Sequence, residues 1–362
     1  MKIAVIVGTR PEIIKMSPIL RLCESRNLDY FLLHTGQHYS YNMDALFFEE
    51  LSIPKPKYNL KSGIQGYGLM IGSMMRNIQD ILAKEKPDVV LVQGDTNSVL
   101  AGALAASKAR VRIAHIEAGL RSFDTSMAEE LNRILTDHIS EILLTPTSFS
   151  KKNLLDEGIP EDKIFITGNT IVDSALGNLE LSRKKSSILK DLGIEKENYL
   201  LVTLHRPECV DNPSRLSSIL ESFELLAAFN LPIVFPVHPR TMKMIKSFGL
   251  ENKINSIPNI RLLEPQGYLD FLALEANAKL ILTDAGGVQE EACVFNVPCV
   301  TLRENTERPE TIHVGSNLIA GYEPASILKS ASSMLQSGRE WSNPFGDGKS
   351  AERILDIILN HG

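Results

Sequence analysis

The chain has 362 residues, 43% hydrophobic and 23% charged, with a formal net charge of −6. That length exceeds one ordinary hydrophobic core, so two domains of a globular protein are expected. The acidic balance sets it against nucleic acid as a main partner, and no apolar run is long enough to span a bilayer.

Met1-Lys2 leads directly into Ile3-Ala4-Val5-Ile6-Val7, too short for a signal-peptide core and suited to a first strand. Further strands are expected near 30–34, 89–94, 112–117, 141–145 and 163–167. Helices are expected between them, near 11–25, 41–51, 69–84, 97–108, 127–139 and 147–157. A second series places strands near 199–204, 232–237, 260–263, 279–283, 298–302 and 317–320. Its helices fall near 213–229, 240–249, 267–276, 287–295 and 323–336. Strands alternating with helices predict parallel α/β sheets, and the matching halves predict two Rossmann-like domains. The boundary is expected in the polar stretch 168–198, around a helix over 171–182, giving domains 1–170 and 171–348. A last amphipathic helix is expected over 349–360. Cys23, Cys209, Cys293 and Cys299 form no CxxC pair and read as reduced thiols of a cytoplasmic protein.

Ligands of an open parallel sheet sit outside the carboxyl ends of its strands. The run Val89–Gly94 ends there on Asp95, and Arg112–Ile116 ends on Glu117, while Glu129-Glu130 open the next helix. Several carboxylates in one cleft make a proton-transfer arrangement. Gly8-Thr9-Arg10-Pro11, with Lys15 beyond, joins a helix start to two cations and suits an anion. In the second half, Thr283-Asp284-Ala285-Gly286-Gly287 lets a diphosphate approach the backbone, with a helix beginning near Gly287. Either Glu290 or Glu291 is suited to a ribose diol, since carboxylates accept paired hydroxyl hydrogen bonds. His205 and Arg206 close the first strand of this half, His238 closes the next, and Arg308 in the charged run 303–310 is a candidate phosphate contact. No GxGxxG follows a strand, so a separately bound dinucleotide is not expected. His34 and His38 lack a third ligand, HExxH and GxSxG are absent, and neither a metal site nor a serine hydrolase is expected.

Together the segments GTRPEIIK, HTGQH, GDTNSVLAGALAA, HIEAGLRS, EELNRILTDH, GNTIVD, HRPE, DAGGVQEEA and ENTERPET resemble the non-hydrolysing UDP-N-acetylglucosamine 2-epimerases over essentially the whole chain. The resemblance implies a GT-B-like pair of Rossmann domains with the active site in the cleft between them, usually in a homodimer. It also implies that the C-terminal residues 349–362 return to the first domain. Asp95, Glu117, Glu129 and His205 correspond to the family's catalytic groups. Arg10, Lys15, Gln266, Phe271, Gly286, Gly287, Glu291 and Arg308 correspond to its UDP-sugar contacts. The implied reaction interconverts UDP-GlcNAc and UDP-ManNAc through UDP elimination to 2-acetamidoglucal, without metal or cofactor. A UDP-2,3-diacetamido-uronic acid is the alternative substrate, and a GT-B glycosyltransferase the alternative activity. Ala285 stands where many members have serine, Ala128 where proline is usual, and Tyr39-Ser40-Tyr41-Asn42 departs from the segment linked to allosteric activation in bacterial members.

Overall fold

The computed structural model describes residues 1–37, 48–60 and 66–361. His38, the segment 39–42, most of the expected helix 41–51 and the loop residues 62–65 lie outside the described residues. The chain divides into two compact units, Met1–Ser174 with Phe345–Gly362, and Ala175–Pro344.

The first unit is built on seven strands: β1 Lys2–Val7, β2 Asp29–His34, β3 Tyr58–Asn59, β4 Val89–Gln93, β5 Arg112–Ile116, β6 Ile142–Thr145 and β7 Ile164–Ile166. All pair in parallel, in the order β3-β2-β1-β4-β5-β6-β7. Val89–Gln93 is buried throughout, as a strand covered on both faces must be. The order reverses between β1 and β4, which opens a crevice at their carboxyl ends. The chain entering the crevice from β5 turns at Gly119, whose φ is +78°. A Cβ there would lie 2.2 Å from the Ser150 carbonyl oxygen, so the turn can sit against the helix Ser148–Asp156 only without a side chain.

The C-terminal helix Ser350–Asn360 belongs to this unit. Its apolar face buries Ile354, Leu355 and Ile358. Asp173 accepts the backbone N–H groups of Ser350 and Ala351 at 3.2 and 2.9 Å, which satisfies donors that a helix start otherwise leaves open. Arg26 pairs with Asp356 at 2.7 Å.

The second unit carries six parallel strands: β8 Leu200–Thr203, β9 Ile233–Pro236, β10 Ile260–Leu263, β11 Leu280–Thr283, β12 Cys299–Thr301 and β13 Asn317–Ile319. Their order is β10-β9-β8-β11-β12-β13, with the reversal between β8 and β11. Leu200, Val202, Phe235, Leu280, Leu282 and Val300 form the core of one face.

Several elements differ from expectation. The helix expected over 171–182 runs further, Thr170–Lys185, and the division between units falls inside it. Arg183, Lys184 and Lys185 form its last turn, where cations meet the negative end of the helix dipole. The helices Ile188–Asp191, Pro207–Val210, Glu251–Ser256 and Pro309–His313 are too short to show a helical period in sequence. Gly119→Ala is expected to destabilise the first unit by about 3 kcal/mol through overpacking and backbone strain. Denaturant unfolding measures it, and unchanged stability would contradict the close approach.

Candidate active site

In the first unit the strand-end acids occupy unlike surroundings. Glu117 follows β5, is 4% exposed and holds a left-handed φ of +66°, a conformation that disfavours side chains. Its carboxylate accepts the Lys15 ammonium at 2.5 Å and the Asn169 amide at 2.8 Å, and the Gln93 amide on the other oxygen. Donors from the β1 helix, the end of β4 and the turn after β7 thus converge on one buried anion. Backbone strain at such a convergence marks a functional position more often than an ordinary turn.

Asp95 follows β4 and pairs with the buried guanidinium of Arg133. Arg133 also binds Glu130 at 2.7 Å, and Glu130 accepts Ser122 N–H and Phe123 N–H at 2.9 Å each. Burial works to raise the Glu130 carboxyl, but these hydrogen bonds and Arg133 outweigh it and hold the group below its usual range. Glu130 therefore braces the loop, while Glu129 beside it in the helix Ala128–Ile139 is half-buried. Asp137, from the same helix, accepts His115 Nδ1 at 2.7 Å, Gly119 N–H at 3.1 Å and Arg121 at 2.8 Å. His115 Nε2 in turn meets the Gly94 carbonyl at 2.8 Å, fixing the backbone next to Asp95.

At the start of the helix Arg10–Ser25, Glu12 folds back over the preceding turn and accepts Gly8 N–H at 2.6 Å and the Thr9 hydroxyl at 3.0 Å. Arg10 is half-buried at the helix start. Lys15, expected to meet the nucleotide sugar, lies against Glu117. Burial, assisted by the charge of Asp95, pushes Glu12 up to about 7 against the hydrogen bonds that oppose it.

In the second unit the strand-end groups surround the β8/β11 reversal. Asp284, fully buried after β11, accepts the N–H groups of His205 and Arg206 on one oxygen at 2.8 and 2.7 Å. Its other oxygen lies 3.4 Å from His205 Nδ1, so Asp284 backs the imidazole. Desolvation lowers the His205 pKa despite this carboxylate. His238 lies beside His205, its ring centre 5.5 Å away and its plane tilted by 41°.

The helix Gly286–Val294 starts one residue earlier than expected and has no side-chain cap at Ala285. A Cβ on Gly287 would meet nothing within 4 Å, whereas one on Gly286 would come within 3.1 Å of Glu307. The turn is therefore close to the charged loop on one side and open on the other. Arg308 is buried and donates to Glu290 at 2.6 Å. Glu307 receives Arg303 at 2.8 Å and Arg206 at 3.4 Å. Glu291 is 7% exposed, with the Tyr268 hydroxyl 3.5 Å from it. Phe271, like Ala285, is partly buried against the cluster containing Val288 and Ala292. Gln266 donates to the Glu264 carbonyl at 2.6 Å.

Each unit thus presents charged and polar groups at the carboxyl ends around its own strand reversal. A model of the family described as UDP-N-acetylglucosamine 2-epimerase matches residues 21–359. The chain belongs to this family. A UDP-N-acetylglucosamine 2-epimerase of Methanocaldococcus jannaschii is 55% identical over 361 residues, covering 99% of both chains. The crystal structure of the Methanocaldococcus jannaschii UDP-GlcNAc 2-epimerase in complex with UDP-GlcNAc and UDP matches with a TM-score of 0.94, covering 100% of both chains at 55% identity. A UDP-2,3-diacetamido-2,3-dideoxy-D-glucuronate 2-epimerase of Pseudomonas aeruginosa is 42% identical, covering 99% of each. The expected pair of parallel-sheet α/β domains of the GT-B-like class is the architecture of this chain.

Sequence reasoning passed over Glu12, Gln93, Asn169 and the role of Asp284. Gln93 and Asp284 carry a readable signal, since each is a buried polar residue ending or following an apolar strand. Glu12 supplies a pH test. Its carboxyl rises from an ordinary 4.5 to about 7 on folding, so its contribution to stability is complete below 4.5 and is lost as pH climbs through 7. The loss amounts to about 3 kcal/mol. Glu12→Gln is expected to remove that part of the pH dependence in denaturant unfolding between those limits, and an unaltered profile would contradict it.

Proposed function

We propose that this protein is an isomerase that interconverts UDP-N-acetylglucosamine and UDP-N-acetylmannosamine. What supports the reading is membership of this family, together with Asp95 and Glu117 after the neighbouring strands β4 and β5, Glu129 in the first turn of the helix Ala128–Ile139, and a helix start beside Arg308 in the second unit.

The C2 proton of the sugar is next to no carbonyl and is weakly acidic, so departure of UDP from C1 must share the work. A carboxylate takes the C2 proton as the C–H electrons form the C1–C2 double bond. The C1–O bond breaks with its electrons passing to UDP, leaving 2-acetamidoglucal. A second carboxylic acid then delivers a proton to the opposite face of C2, and UDP adds back at C1. General acid–base groups of this kind contribute roughly 10²–10⁴-fold each. The Gly286–Gly287 turn and Arg308 stabilise the diphosphate as its charge develops. His205, backed by Asp284, orients the departing phosphate or returns its proton. Glu291 takes the ribose diol, because Arg308 already engages Glu290. Gln266 and Phe271 border the base, while Arg10 and Lys15 supply positive charge on the acid side.

Leu131 and Leu135, exposed one helical turn apart, support a homodimer through the first unit. Four buried cysteines without a disulfide support a cytoplasmic setting. Among the described residues no helix is long and apolar enough to cross a membrane.

The 42% identical relative makes UDP-2,3-diacetamido-2,3-dideoxy-glucuronate the second candidate substrate. Side-by-side turnover decides between them, with UDP-GlcNAc expected to give the higher kcat/KM. Asp95→Asn, Glu117→Gln and Glu129→Gln are each expected to slow epimerisation by at least about 100-fold. At least one of them should release 2-acetamidoglucal and UDP, seen by chromatography. Near-normal turnover in all three would show that the acids have been wrongly assigned.

A further inference from the structure

Behind Glu291 lies a carboxyl that the mechanism does not use. Glu275, on the helix Tyr268–Ala276, is 0% exposed, and among the described residues neither of its oxygens meets a hydrogen-bond donor. It faces Glu291 of the next helix within hydrogen-bonding reach. Among the described residues, Tyr199 and Cys299 also act on Glu275, and the Tyr268 hydroxyl lies beside Glu291. Tyr199 spends its hydroxyl on the Leu274 carbonyl at 2.5 Å, and burial raises both Tyr199 and Cys299, which keeps them neutral.

A carboxylate removed from water without donors is costly, and two adjacent carboxylates cannot both ionise there. Burial and the charge of Glu291 together raise the Glu275 carboxyl well above its usual range. The proton stays on the deeper group, and the group nearer solvent carries the charge. A protonated carboxyl is a donor, so the contact becomes one charge-assisted hydrogen bond instead of a repulsion.

We propose that Glu275 is a positioning residue that donates its carboxyl O–H to Glu291 and so holds the Glu291 carboxylate toward the ribose diol of the nucleotide. This rests on the reading of Glu291 as the ribose contact. Glu275 is thereby assigned to nucleotide affinity, with no part in moving the C2 proton.

The test compares binding of UDP and 2′,3′-dideoxy-UDP to the full-length protein by calorimetry. Glu275→Met is expected to weaken UDP about tenfold while leaving the dideoxy compound unchanged, the size of one hydrogen bond to a charged group. KM for UDP-GlcNAc should rise with kcat nearly constant. Glu275→Gln, neutral and still a donor, should keep the preference for UDP and should flatten the rise in KM at high pH, where Glu275 ionises in the native protein. If Glu275→Gln loses as much preference as Glu275→Met, or shows the native pH profile, the inference is wrong. If Glu291→Gln abolishes the preference for UDP but Glu275→Met retains it, the inference fails while the ribose reading stands. If Glu291→Gln retains that preference, the ribose reading fails first and the inference with it. Should Glu275→Met not fold, the Gln variant's affinity and pH profile decide alone.

Discussion

A carboxylate taken out of water must find donors at once, and Glu117 collects them from three separate parts of the first unit. Lys15 arrives from the helix after β1, Gln93 from the end of β4 and Asn169 from the turn after β7. The contact needs the strand order of the sheet, which sets β4 next to β5 and keeps β1 and β7 each one strand further away. It also needs the left-handed backbone at Glu117, a local cost that the surrounding bonds offset. Removing Lys15 would leave a buried charge uncompensated, a far larger loss than that of a surface ion pair.

The second unit solves the complementary problem. There the buried acids serve cations and backbone donors: Asp284 holds the backbone at His205 and Arg206, Glu290 holds Arg308, and Glu307 gathers Arg303 and Arg206. These pairings line one side of the Gly286–Gly287 turn, where Glu307 approaches Gly286, and leave Gly287 open on the other. On the proposed reading, one unit supplies the groups that move a proton and the other those that hold the diphosphate, and an epimerisation through elimination and re-addition needs both.

Much of this is legible in the sequence because parallel strands buried on both faces read as short apolar runs. Val89–Gln93 and Leu280–Thr283 stand out in this way, and the polar residue closing each marks a strand end. What escapes is set by distance along the chain. Glu117 meets Lys15 across 102 residues and Asn169 across 52, and no local pattern encodes such pairings. The engagement of Gly8 N–H by Glu12 escapes for another reason: an acid in the first helical turn reads as a partner of the helix dipole, and nothing in the local pattern shows it folding back over the preceding turn. The helix expected over 171–182 continues to Lys185, where the charged composition hid its last turn although its cations suit a helix end.

The central claim is that one of the strand-end carboxylates removes the sugar C2 proton and another returns one on the opposite face. Incubation with UDP-GlcNAc in deuterated water, followed by proton NMR at C2, tests it most directly. The account predicts that UDP-ManNAc forms with deuterium at C2 and that the recovered UDP-GlcNAc also acquires it. Epimer formed with its original C2 proton retained would contradict the account.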